Sequence, residues 1–201
     1  MAMLKIKIIL GSTRPNRFSD KPGTWIFGEA RKKEGVEGEL LDLRDYPFPF
    51  YNEPISPSMI KDGAYSNEIV KRWAVKIKEA DAFIIVTPEY NHGTSGVLKN
   101  ALDSVYAEWN NKPVGFVSYG GVGGARAVEQ LRGVAVELQM APIRNAVHIP
   151  QHWNLLDEKG NLKDGALNPF KKNADMLLAQ LMWWAAALKT ARENEKNAKQ
   201  G

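Results

Sequence analysis

Three groups of residues in this chain have types and spacing suited to chemistry, and each follows an apolar run of strand length. After Phe83, Ile84, Ile85 and Val86 come Pro88, Glu89, Tyr90, Asn91, His92 and Gly93, a polar and aromatic loop suited to a flat ring with polar edges. After the segment 5–10 come Gly11, Ser12, Thr13, Arg14, Pro15, Asn16, Arg17, Phe18 and Ser19. Three hydroxyls, two arginines and backbone N–H groups ahead of a helix make an anion site of the kind that takes a phosphate. After the segment 113–118 come Tyr119, Gly120, Gly121, Val122, Gly123, Gly124, Ala125 and Arg126, where glycines let backbone approach a ligand closely. One phosphate loop, one aromatic-polar loop and one glycine loop together describe a mononucleotide site.

The elements that must position these loops follow from periodicity. Apolar runs without alternation read as strands buried on both faces, as in parallel sheets. Strands at 4–10, 38–43, 82–87, 113–118 and 143–149 alternate with helices at about 20–34, 66–79, 95–107, 124–138 and 167–195. Five such alternations predict a doubly wound α/β sheet, whose ligands bind beyond the carboxyl ends of the strands. The chain is read as a single domain over 1–201, with 190–201 as a charged end that frays. Thr94 and Ser95 can cap the helix that follows them. Phe170, Ala174, Leu177, Leu178, Leu181, Ala185 and Leu188 form a core-facing helical stripe, and Met182, Trp183 and Trp184 widen it enough to suggest a subunit contact.

With these motifs assembled, the chain resembles the NAD(P)H-dependent FMN reductases of flavodoxin-like fold, which include quinone, azo and chromate reductases. The resemblance rests on G-S-T-R at Gly11 to Arg14, P-E-Y-N at Pro88 to Asn91, L-K-N-A-L-D at Leu98 to Asp103 and S-Y-G-G-x-G-G-x-R-A at Ser118 to Ala127. It covers roughly the first three quarters of the chain, as placed by the strand-and-loop pattern. It implies a three-layer sandwich with a five-stranded parallel sheet in order 2-1-3-4-5, tightly bound FMN, and NADPH or NADH as co-substrate. It also implies a small-molecule acceptor such as a quinone, azo compound, free flavin or metal ion. The expected FMN-binding residues are Ser12, Arg14, Arg17, Phe18 and Ser19 on the first loop, Pro88, Glu89, Tyr90 and Asn91 on the second, and Ser118, Tyr119, Gly120, Gly121 and Gly124 on the third. Arg17 stands where the family often has a serine, and Ser19 is the candidate to supply that hydroxyl. Backbone N–H groups from Glu89 to Asn91 are expected to serve flavin N5 and O4. Hydride transfer between stacked rings needs no side-chain acid or base, so no catalytic residue is assigned.

The resemblance further implies a homodimer or homotetramer in which the helix carrying Leu98, Ala101, Leu102 and Val105 builds the main contact. The long segment 44–67, with Phe48 and Phe50, reads either as a flap over the site or as a cover for the sheet edge. Composition narrows the alternatives. The chain of 201 residues has no cysteine, so disulfides, thiol catalysis and the usual sulfur-ligated metal sites are excluded. A net charge of +4 without a long basic block argues against nucleic acid. No secretory signal or membrane-length apolar run is apparent, which makes the cytoplasm the expected compartment. His148 and His152 flank Pro150 without metal-ligand spacing, and no metal site is expected. Two other functions compete. A flavodoxin-type electron carrier is disfavoured by the basic charge and the flap. A serine hydrolase using Ser95 or Ser118 with His92, His148 or His152 is disfavoured by the lack of a G-x-S-x-G elbow.

Overall fold

A computed structural model describes residues 3–198. Five strands, β1 (Leu4–Leu10), β2 (Val36–Asp42), β3 (Ala82–Pro88), β4 (Pro113–Gly120) and β5 (Ala141–Pro150), form one sheet in the order β2-β1-β3-β4-β5. Every pairing is parallel, with Ile8 opposite Ile84 and Ile85 opposite Phe116. All residues of β3 and β4 are buried, which is why their sequences do not alternate. The strand order reverses between β1 and β3, and the crevice above that reversal is where such sheets bind ligands.

Helices cover both faces. α2 (Glu68–Glu79), α3 (Gly96–Asp103) and α4 (Ala125–Glu137) enclose one core, where Phe83 meets Trp109 edge-on at 4.7 Å and Trp73 packs beside it. α1 (Asp20–Arg31) and α5 (Lys171–Ala198) enclose the other, with Ile8, Ile84, Val117 and Leu177 buried between them and the sheet. The stripe Ala174, Leu177, Leu178, Leu181 and Ala185 on α5 is fully buried, as its spacing predicts.

Element ends depart from the sequence pattern for local reasons. α1 stops at Arg31, three residues early, and Gly35 at φ +76° turns the chain into β2. α3 ends at Asp103 rather than near 107. The Leu102 carbonyl, the natural acceptor for the Tyr106 N–H, is taken by the Trp109 indole at 3.2 Å, and the Tyr106 N–H turns to the Tyr65 hydroxyl at 3.4 Å. α5 runs to Ala198. Just before and within the expected tail, Lys189 and Arg192 each bond Asp81 at 2.9 Å, and Asp81 also accepts the Lys5 N–H at 3.0 Å. Residues 199–201 lie outside the described part.

The apolar stripe of α3 belongs to the chain's own core, so a contact through this helix would use its other face. Leu98, Ala101, Leu102 and Val105 are 0–1% exposed within a single chain, packed in the Trp73–Trp109 core. A stripe that fills its own core has no surface left for a partner. Trp183 on α5 is 67% exposed, as are several apolar residues of the 44–67 segment and the start of α3: Phe50 (85%), Met59 (71%), Ile55 (52%) and Val97 (40%). Phe48 instead packs edge-on against Trp73 at 5.7 Å, so the segment's two phenylalanines divide the two readings between them.

Candidate functional site

The loop after β1 is fixed at both ends. The Gly11 N–H donates to the Val86 carbonyl at 2.8 Å, and the Gly11 carbonyl accepts the Ser95 hydroxyl. Ser95 also caps α3 by accepting the Leu98 N–H at 3.2 Å, so one serine starts a helix and ties the β1 and β3 loops together. Within the loop the two arginines part company. Arg17, expected to face phosphate, is 5% exposed and commits all five N–H donors: two to Asp20, two to Asp42 and one to the Ser12 carbonyl. Burial opposes the charge on Arg17, and the bonds to Asp42 and Asp20 overcome it and raise its pKa. Burial likewise pushes Asp42 up, but bonds from Arg17 and Arg44 hold its carboxyl down at about 2. Arg17 is thus a brace between the loop and the end of β2, with no donor left for a ligand. Ser19 is also withdrawn: it is fully buried and accepts the Tyr119 hydroxyl at 3.1 Å. Arg14 remains exposed, its guanidinium 5.8 Å from the centre of the Tyr90 ring, with no carboxylate partner among the described residues. Ser12 lies beneath, 3.2 Å from the Tyr90 hydroxyl.

The loop after β3 is a tight reverse turn. The Tyr90 N–H donates to the Gly93 carbonyl and the Gly93 N–H to the Tyr90 carbonyl, both at 2.9 Å. Asn91 (φ +49°) and His92 (φ +70°) sit between them in the left-handed region, although neither is glycine. The Glu89 N–H donates to the Tyr119 carbonyl at 3.0 Å. Of the N–H groups expected to face a flavin, those of Glu89 and Tyr90 are therefore spent. The N–H groups of Asn91 and His92 have no acceptor among the described residues. The Glu89 carboxylate turns away to the start of α4, accepting the Arg126 Nε–H at 2.7 Å and the Arg126 backbone N–H at 3.2 Å. Burial pushes its pKa up, and Arg126 brings it below the usual range. Arg126 also donates to His92 Nε2 at 2.9 Å, which keeps that nitrogen an acceptor.

The four glycines at and just beyond the end of β4 do two jobs. Gly124, at φ +77°, would carry a Cβ 2.7 Å from Ser118 Cβ and 2.9 Å from the Tyr119 nitrogen, so it serves the packing of the turn onto β4. Gly123 is held similarly against His148. Gly120 lines the crevice, while a Cβ on Gly121 would meet only Trp153, at 4.0 Å. Ser118 is fully buried, donates to the Gly123 carbonyl at 2.7 Å and lies 2.8 Å from His148 Nδ1. With its proton given to a carbonyl, Ser118 accepts from the imidazole, the reverse of what a nucleophile needs. The serine-hydrolase alternative has no site here.

Arg14, Arg17, Phe18, Pro88, Glu89, Tyr90, Tyr119 and Gly120 converge on a cavity of about 170 Å³, Arg17 and Glu89 with their charged ends bound to other side chains. Ser12, Ser19, Asn91, Ser118, Gly121 and Gly124 are not among its lining residues. His152 and Leu156 also line it, and neither was anticipated. Both follow β5, whose carboxyl end obeys the same rule as the other three strand ends, so the signal was present in the sequence. Arg14 and Tyr90 are shared with a second cavity of about 250 Å³ that reaches Thr13, Phe50 and Val97. Neither cavity alone reaches the ~300 Å³ lower bound of ordinary ligand pockets; the two adjoin at Arg14 and Tyr90. A free guanidinium, two open backbone donors, an aromatic ring and a glycine edge match a phosphorylated flat ring.

Fold and site together define a flavodoxin-like α/β protein with its ligand crevice at the β1–β3 switch point. The sequence profile of the NADPH-dependent FMN reductases matches residues 4–154. An NAD(P)H-dependent FMN reductase of Schizosaccharomyces pombe is 41% identical over 149 residues, covering 73% of this chain and 74% of that protein. An NADPH:quinone oxidoreductase of Arabidopsis thaliana is 35% identical, covering 81% of this chain and 83% of that one. The solved structure of the flavoenzyme NAD(P)H:(acceptor) oxidoreductase FerB from Paracoccus denitrificans superposes with a TM-score of 0.66 at 23% identity, over 94% of this chain and 98% of that one, a likeness of fold. The chain belongs to the NADPH-dependent FMN reductase family and is an FMN-dependent NAD(P)H oxidoreductase.

Proposed function

We propose that the chain holds one FMN at the β1, β3 and β4 loops and reduces small quinone-like acceptors with electrons from NADPH or NADH. The observation that carries this assignment is Arg14. It is the one loop arginine left free of carboxylates, at the rim of a cavity to which all three loops contribute. Bound FMN would take hydride from the nicotinamide and pass it to the acceptor. The residues of the chain orient and stabilise. Arg14, with backbone N–H groups of the loop, neutralises the phosphate. Tyr90, released from Arg14, offers its ring face. The N–H groups of Asn91 and His92 point fixed dipoles at the ring edge, where charge develops on reduction. Gly120 allows the ring to lie against backbone. Glu89, held by Arg126, keeps the strained turn in place.

The exposed apolar residues Phe50 and Val97, which line the second cavity, with Ile55 and Met59 exposed on the same segment as Phe50, support a homodimer or homotetramer in which a partner covers this rim and shields the site from water. The reading includes a single domain with a fraying charged end and a cytoplasmic location; among the described residues no helix is long and apolar enough to cross a membrane. The test is direct. Purified protein should show a flavin spectrum, release FMN and not FAD on acid treatment, and lose its yellow colour on anaerobic addition of NADPH or NADH. Released FAD, or no flavin uptake by the apoprotein, overturns the assignment.

A further inference from the structure

His152 Nδ1 is the one buried side-chain nitrogen or oxygen without a hydrogen-bond partner among the described residues. Polar atoms in that position are rare, and the same imidazole is among the residues lining the cavity, so a turn of the ring would present an unpartnered nitrogen to a ligand. The fold positions this imidazole deliberately. Gln151, in the left-handed region at φ +45°, donates its N–H to the Gly120 carbonyl at 2.8 Å and swings the chain back over the end of β4. The ring then lies 4.6 Å from Phe18, on the phosphate loop, and 5.0 Å from Tyr119.

The loop itself is short of cations. Its two arginines suggest two charges for a phosphate dianion, yet Arg17 is consumed by Asp20 and Asp42, leaving Arg14 alone. We infer that His152 is the second cation of the phosphate site, taking up a proton from water as the phosphate binds and donating a ring N–H to it. This rests on the mononucleotide reading above. The titratable groups sharing the cavity are Arg14, Arg17, Glu89, Tyr90 and Tyr119. Burial, and then Arg14, lower the His152 pKa in the ligand-free protein, so the imidazole is neutral there. A dianion at the loop offsets Arg14 and favours the charged ring. Tyr119, pushed up to about 12, stays protonated and does not compete for the role. Between the lowered and the raised His152 pKa, binding takes up a proton, so affinity must rise as pH falls.

The experiment measures the dissociation constants of FMN and of riboflavin, which lacks the phosphate, with apoprotein across pH. Wild-type affinity for FMN should rise roughly tenfold from pH 8.5 to 6.5, a window above the phosphate's own ionisation near 6. His152→Gln should weaken FMN roughly tenfold at pH 6.5 and flatten the slope, with riboflavin affinity unchanged. A measurement on wild type guards against a folding defect in the variant: the His152 ring proton, followed by NMR, should titrate at higher pH with FMN than with riboflavin. Equal weakening of FMN and riboflavin would move His152 to the ring or ribityl chain and overturn the inference. So would a flat wild-type slope or an unmoved His152 titration. Failure of wild-type apoprotein to bind FMN at any pH would instead overturn the mononucleotide reading itself.

Discussion

Replacing Arg17 by Met should cost folding stability, whereas replacing Arg14 by Ala should cost cofactor affinity. The Arg17 side chain is 1% exposed, Asp42 19% and Asp20 44%. Its removal strands the Ser12 carbonyl, at about 1–3 kcal/mol for an unmade buried bond. It also strips Asp42 of most of its compensation, whose full extent, read from a carboxyl held at about 2, is about 2 kcal/mol and is shared with Arg44. Asp20 is open enough to water to add little. The sum is near 3 kcal/mol, at the lower edge of the range for breaking one side of a buried pair. For a chain of this length that lowers Tm by roughly 6–12 °C. Arg14→Ala should leave the apoprotein Tm within a degree or two and weaken FMN by about 1.5–3 kcal/mol. Calorimetry of the two apoproteins and flavin titration of each decide the matter. An Arg17→Met apoprotein as stable as wild type, with FMN binding impaired as much as in Arg14→Ala, would refute the brace and restore Arg17 as a phosphate ligand.

Other outcomes follow from the same geometry. Asp42, depressed in the folded state, contributes stability that is present above about pH 4 and lost as pH falls toward 2; acid unfolding monitored by circular dichroism should lose this step, about 2 kcal/mol, in Asp42→Asn. Gly124→Ala forces a Cβ into Ser118 at φ +77° and should destabilise by about 2–4 kcal/mol in chemical denaturation, with Gly121→Ala far milder. Light scattering should give a mass at least twice the 22.4 kDa chain, and Phe50→Ser with Met59→Ser should shift it toward monomer; a fully active wild-type monomer would remove the shared rim.

Much of this architecture is legible in the sequence because unbroken apolar runs leave little choice of strand type or burial. Phe83 to Val86 and Val114 to Val117 could be satisfied only by a sheet covered on both faces, and the loops after them then had to meet. What escaped reading depended on long-range partners. Arg17 looks like Arg14 in sequence; only the return of β2, which delivers Asp42 beside it, separates a brace from a binding residue. An apolar helical stripe such as that of α3 suits a core as well as an interface, and the packing of Trp73 and Trp109 is what makes it core. His152 was passed over as a metal ligand, for which its spacing is wrong, although the strand-end rule already placed it at the crevice.

The Asp81 clamp also settles how the molecule can be held. Lys189 reaches Met3 by a 2.9 Å bond to its carbonyl, so the beginning of β1 and the last turns of α5 meet at the amino ends of the strands. The crevice lies at the carboxyl ends, a seven-residue strand away, or about 23 Å. A tether attached on the Met3 side therefore leaves the crevice facing solvent, open to diffusing nicotinamide and acceptor. The same tether on an electrode sets the flavin site behind the full depth of the sheet. Wiring the protein directly to a conducting surface calls for attachment through the exposed rim at Phe50 or Val97, where the sheet does not intervene.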